Sequence, residues 1–135
     1  MNKLEALTAY LINANLVDAK QIESVVDSVT LYPAGRVTAS DQVVLAEKHV
    51  SCTFFITHYP LANLHENELF ARLVAWLLEF DGDHLGQRDI DISVSVLDVY
   101  RCNLEFEVKF VENLVVIEQA SGDVVFKQKR YALLP

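Results

Sequence analysis

The sequence predicts an α+β domain: a mostly antiparallel sheet of about five to six strands packed against a main helix at about residues 65–80 and an N-terminal helix at about residues 3–14. Three observations carry this. The run Leu69-Phe70-Ala71-Arg72-Leu73-Val74-Ala75-Trp76-Leu77-Leu78 is apolar around most of a helix's circumference. Two segments, Ile90 to Val96 and Leu104 to Phe110, alternate apolar and polar residues with the period of a strand that has one wet face. Ahead of the helix, Thr53-Phe54-Phe55-Ile56-Thr57 is β-branched and aromatic, as strands are.

Taken in order, Leu4, Leu7, Leu11 and Ala14 recur at helical spacing behind Asn2, a good N-cap, and Asn15 is a plausible stop. Asp18 stands three residues before Gln21, a loose capping-box pattern that suits a short helical turn. Val25 to Tyr32 reads as a strand, ended by the turn signal Pro33-Ala34-Gly35, with Val37 to Asp41 as a loop. Gln42 to Tyr59 is long for one strand, which predicts a bend near Glu47-Lys48. Phe54 and Phe55 point to opposite faces, so this strand is expected to be central and covered on both sides.

Pro60 ends that strand, and Asn63 or His65 opens the main helix, with Glu66 and Glu68 in its first turn where negative charge is favoured. Glu68, Arg72, Ala75 and Glu79 make a narrow polar stripe; the rest must be buried or face a neighbouring subunit. Asp81-Gly82-Asp83 terminates it. In the next strand Ile90, Ile92, Val94 and Val96 share a face against Asp91, Ser93 and Ser95. Leu104, Phe106, Val108 and Phe110 repeat that pattern against Glu105, Glu107 and Lys109, with Tyr100-Arg101 in the connection. Leu114–Ile117 and Val124–Lys127 are expected to form a hairpin through Ala120-Ser121-Gly122-Asp123.

At 135 residues the chain is expected to form a single domain, 1–135, with no repeat or linker. With 52% hydrophobic and 22% charged residues it is not disordered. Nineteen acidic residues against 11 basic leave a formal charge of −8, and an acidic surface repels phosphates, so no nucleic-acid partner is expected. The basic run Lys127-Gln128-Lys129-Arg130 reads as the solvated end of a strand. No signal-peptide core appears and Leu69–Leu78 is too short to span a bilayer. The expectation is a cytoplasmic chain without a membrane partner. Cys52 and Cys102 lie on the apolar phases of their strands and read as buried, reduced thiols.

A search for chemistry finds no active site. His49, His58, His65 and His84 have no i,i+4 pairing and no cysteine nearby in sequence, so no metal is expected. Asp81-Gly82-Asp83-His84 lacks the further oxygen ligands of a calcium loop and reads as a helix end. Asp89, Asp91, Glu105 and Glu107 sit on exposed strand phases, which makes a solvated acidic face or a docking face for a basic partner. Gly35, Gly82, Gly86 and Gly122 form no phosphate loop, so no cofactor is expected. The chain reads as a non-enzyme.

The strand Val50 to Thr57, the linker His58 to Leu64 and the helix containing Leu73-Val74-Ala75-Trp76-Leu77 together resemble the tail completion protein R family of P2-like contractile-tailed phages. Asp89 to Val96 and Asn103 to Val108 resemble that family's next two strands. The similarity runs from His49 to Ile117, about half the chain, and Pro33 to Asp41 lies outside it. It implies a non-catalytic role in tail maturation at the end of the tail that joins the head. It also implies a homo-oligomer, a ring among the possible arrangements, docking on tail tube or head–tail connector proteins, and a place in the virion tail after assembly in the host cell. The candidate interface or core residues are Leu61, Leu64, Phe70 and Trp76, with the core favoured for Trp76, and Asp91, Glu105 and Glu107 are candidates on the acidic face. Charge and length also fit an acidic secretion-type chaperone or another protein-binding α+β module, although such chaperones end in a long helix and this chain ends in strands. A small ligand binder is the third class, and it would need a deep pocket with convergent polar groups.

Overall fold

The computed structural model describes residues 2–61, 65–81 and 89–134. Two helices and six strands follow one another: α1 Lys3–Asn13, β1 Ile22–Ala39, β2 Gln42–Pro60, α2 His65–Phe80, β3 Ile92–Val96, β4 Arg101–Glu118, β5 Val124–Phe126 and β6 Lys129–Leu133. The sheet is antiparallel with strand order β1-β2-β4-β6-β5, and β3 pairs β4 off that path. This is the α+β class read from the sequence.

Local chemistry sets the helix ends. Asn2 caps α1 by accepting the Glu5 backbone N–H at 2.8 Å. Asn15 follows the helix with φ 55°, the left-handed conformation that asparagine tolerates better than most residues. A 3₁₀ turn over Ala19–Gln21 precedes β1, where the Gln21 side chain accepts the Asp18 N–H at 3.0 Å.

The chain groups into two compact units, Met1–Ser28 with Val50–Phe110 and Val29–His49 with Val111–Pro135. In the first, Leu7 and Leu11 of α1 and Leu69, Leu73 and Trp76 of α2 are buried with Val50, Cys52, Phe54 and Ile56 of β2 and the alternating Cys102-to-Phe110 phase of β4. Each fully buried Leu or Phe contributes about 1.5–3 kcal/mol by leaving water. Phe54 and Phe106 stack at 5.2 Å, and Trp76 meets Phe110 edge-on at 6.3 Å. Lys3 and Asp81 form an ion pair between the start of α1 and the residue after α2.

The second unit has a small core of Val43, Val116 and Tyr131, flanked by Leu45, Val124 and Phe126. β6 pairs the end of β4 through Val116↔Leu133, Ile117↔Ala132 and Glu118↔Tyr131. Gly122 is a steric requirement: a Cβ there would come within 2.2 Å of the Tyr131 carbonyl oxygen.

Four expectations are corrected. β1 does not end at Pro33-Ala34-Gly35 but continues to Ala39, and the turn falls at Ser40-Asp41. β1 is an edge strand, where a proline's missing N–H costs no ladder bond, and Gly35 takes φ 62° without steric penalty. β2 runs from Gln42 to Pro60 as one strand, and the two compact units divide between its His49 and Val50. Leu114–Ile117 belongs to the 18-residue β4, and the hairpin partner of Val124–Phe126 is β6, not β4. That hairpin turns at Lys127-Gln128, both left-handed at φ 48° and 67°, so the basic run is a turn and the start of a strand. Finally, β2 is central, but among the described residues helices cover only the Phe54 face; Phe55 is half-buried on the open face.

Candidate docking surfaces

Strand alternation builds the first surface, on the open sheet face of the first unit. With Cys52, Phe54 and Ile56 turned to the helices, β2 presents Thr53, Phe55 and Thr57 on the other side. The registers Ser93↔Glu105 and Ser95↔Asn103 place two serines beside these β4 residues, and Glu107 and Lys109 continue the row. Asp27 of β1 accepts a hydrogen bond from the Thr53 hydroxyl, which puts it on the same face. Phe55, Thr57, Ser93, Ser95, Asn103 and Glu105 line an open cleft of about 160 Å³ there.

The rim of that cleft is tied down. His58 has φ 53°, uncommon for a residue with a side chain. Its backbone N–H donates to Asn103 Oδ1 at 3.1 Å, and Gln21 Nε2 donates to the Thr57 carbonyl at 2.7 Å. Two strands and the 3₁₀ turn therefore clamp this bend. Glu105 and Glu107 are exposed, and Asp91 is exposed in phase with Ser93 just ahead of β3. Lys109 approaches Glu107 at 3.9 Å, a solvent-exposed pair that neutralises little of the face.

The second surface is the open side of α2. Leu69, Leu73 and Trp76 are buried, Phe70 and Leu77 are half-buried against the core, and Val74, Leu78 and Phe80 stand 46%, 60% and 58% exposed. Glu68 and Arg72 pair at 3.1 Å along its polar edge. Of the expected interface residues, Trp76 is thus in the core, and Phe70 and Leu61 are half-buried at its margin. Leu64 lies outside the described residues, as do His84, Gly82 and Gly86; of His65 only the backbone is described.

The third surface carries no periodic signal in the sequence. The turn between β3 and β4 displays Val99 at 81% and Tyr100 at 70% exposure. Asp98 holds it by accepting the Tyr100 and Arg101 N–H groups at 2.8 and 2.9 Å and the Arg101 guanidinium at 3.1 Å. The Tyr100 backbone bond first, then the Arg101 guanidinium, keeps the Asp98 carboxyl below its ordinary value. Leu61 N–H donates to the Tyr100 carbonyl at 2.9 Å, which fastens the segment after β2 to this turn. An aspartate opening a turn was the available signal.

Two ionisable groups are shifted by their buried surroundings. Burial first, then the carboxylates of Glu68 and Glu66, pushes Tyr59 up to about 12. Burial, then Glu66, also raises the Cys102 thiol. Among the described residues no three His, Cys, Asp or Glu side chains converge on a metal position, and no helix is long and apolar enough to cross a membrane.

A family model, that of the P2 phage tail completion protein R (GpR), matches residues 1–135. The match takes in Pro33 to Asp41, which the resemblance read from the sequence left out. No curated protein and no solved structure matches the chain.

Proposed function

The chain belongs to the P2 phage tail completion protein R family, and we propose that it completes the tail at its head-proximal end by self-association and docking, without catalysis. The observation that carries this reading is a family match over the whole chain, residues 1–135. In this reading the protein is made and assembled in the host cytoplasm and stays in the virion tail. Its acidic sheet face, with Asp91, Glu105 and Glu107, meets basic surface on tail tube or head–tail connector proteins, where opposite charge steers encounter and fixes orientation. The open side of α2, from Phe70 through Val74 to Leu78, supplies apolar contact to a neighbouring subunit.

The test is complementation of a P2-like phage lacking its own tail completion gene. The wild-type chain restores finished tails by electron microscopy and infectivity. A chain that folds but leaves tails unfinished sinks the reading. Within it, Glu105→Lys with Glu107→Lys, or Phe70→Asp, lowers the yield of finished tails; an unaltered yield removes that surface from the scheme.

A further inference from the structure

We propose that copies of this chain join head to tail through the two sheet edges of the first unit, the Ile22–Ser28 part of β1 against β3 of the next copy. The inference rests on the self-association in the functional reading and assigns it a site. Among the described residues of this unit the strands lie in the order β1-β2-β4-β3, with β1 and β3 outermost. Four antiparallel strands leave the outermost two running in opposite directions. A second copy in the same orientation therefore offers β3 antiparallel to β1, the arrangement in which ladder bonds form perpendicular to the strands.

The faces also match. Ile22 is in the core and the Ser24 hydroxyl bonds Thr8 of α1 at 2.9 Å, so Val26, in phase with both, is on the helix side. Val94 and Val96 lie opposite the buried Leu104 and Cys102, so they too are on the helix side. Yet Val26, Val94 and Val96 stand 52%, 51% and 68% exposed. Joining the edges sets these uncovered valines side by side and adds Ser93 and Ser95 to the open face beside Val25 and Asp27.

Edge strands are ordinarily guarded by charge, proline or a bulge. β3, Ile-Ser-Val-Ser-Val, carries neither charge nor proline. β1 carries Glu23 and Asp27, so a symmetric β1–β1 pairing about Val25 would oppose Glu23 to Asp27 of the other copy, twice, which like charges disfavour. The neutral β3 is the better match for this acidic edge. A head-to-tail contact repeats: it closes a ring where the rotation allows and otherwise runs on as a filament. A five-residue ladder is short, and closure gives every copy two of them.

The experiment uses Val26→Lys and Val94→Lys in the full chain, each at a half-exposed position, with thermal melting to verify folding. In sedimentation velocity over a concentration series, each variant alone is expected to associate at least about tenfold more weakly than wild type. Mixed together they are expected to form a heterodimer that grows no further, because the mixture holds one sound β1 edge and one sound β3 edge per pair. Either variant associating like wild type, or a wild type that stays monomeric throughout, overturns the edge pairing. Complementation separates the two levels. Wild-type chain restoring tails while both variants do so equally well overturns the pairing and leaves the function standing; wild-type chain failing to restore tails takes both down.

Discussion

The two compact units draw on the same three long strands and differ in what is laid on them. The first receives both helices and, among the described residues, buries sixteen apolar residues in one cluster. The second receives the short β5–β6 hairpin and, among the described residues, gathers three into a cluster, with Val44 and Ala46 buried outside it. It also leaves Val29, Leu31, Tyr32, Val37, Val125 and Leu133 each at least half exposed. Burial of apolar surface drives folding, so the larger core of the first unit is expected to hold most of the stability; both units leave apolar residues uncovered, among them Val26, Leu78, Val96 and Val99 in the first.

The comparison can be broken at its strongest point. Phe106→Ala removes the ring stacked on Phe54 and should cost about 3–5 kcal/mol in chemical denaturation. A cost near that of a surface change would mean the large core is not the stable one. Gly122→Ala drives a methyl into the Tyr131 backbone and should cost roughly 1–3 kcal/mol. Hydrogen exchange should then speed up for amides of β5 and β6 while those of Leu104 to Val108 keep their protection. Equal loss in both would show that the units open as one.

Alkaline pH offers a gentler probe of the first unit. An unfolded tyrosine ionises near 10, whereas Tyr59 in the fold does so at about 12. Above pH 10 ionisation favours the unfolded chain, so stability should fall through that window and be unaffected by Tyr59 below it. Tyr59→Phe should flatten the decline; an unchanged slope would assign it to other groups. Asn2→Ala, which strips the cap from α1, should cost about 1 kcal/mol, read as a lower melting temperature. The smallest change in stability is expected at the second unit's surface. Leu31→Ser with Tyr32→Ser should fall within about 0.5 kcal/mol of wild type yet reduce the yield of finished tails. Normal yield would make that surface idle.

The helices and the Cys102–Phe110 half of β4 are legible because their apolar periods are sustained. Eleven residues behind Asn2 and sixteen before Asp81 leave little choice, and the alternation from Cys102 to Phe110 names its own buried face. The length of β1 is not legible in the sequence, because Pro33 and Gly35 signal a turn in isolation and only an edge position makes them acceptable in a strand. The pairing of β5 with β6 hid behind a Lys-Gln turn that lacks the usual glycine. For the surfaces, Asp91, Glu105 and Glu107 follow from alternation alone. The free edges depend on strand order, which is set by tertiary contacts, and the Val99-Tyr100 tip has no period to betray it.

Cys52 and Cys102 have a consequence beyond packing. Neither forms a disulfide and neither has exposed surface, and burial raises the Cys102 thiol, so little thiolate forms there at neutral pH. In the proposed role, lysis would move the chain from a reducing cell interior into air-saturated medium, and thiols buried in this way would be slow to oxidise or cross-link on that passage. A thiol reagent should label this chain only at the rate at which it unfolds, which makes the two cysteines a clock for the durability of the fold.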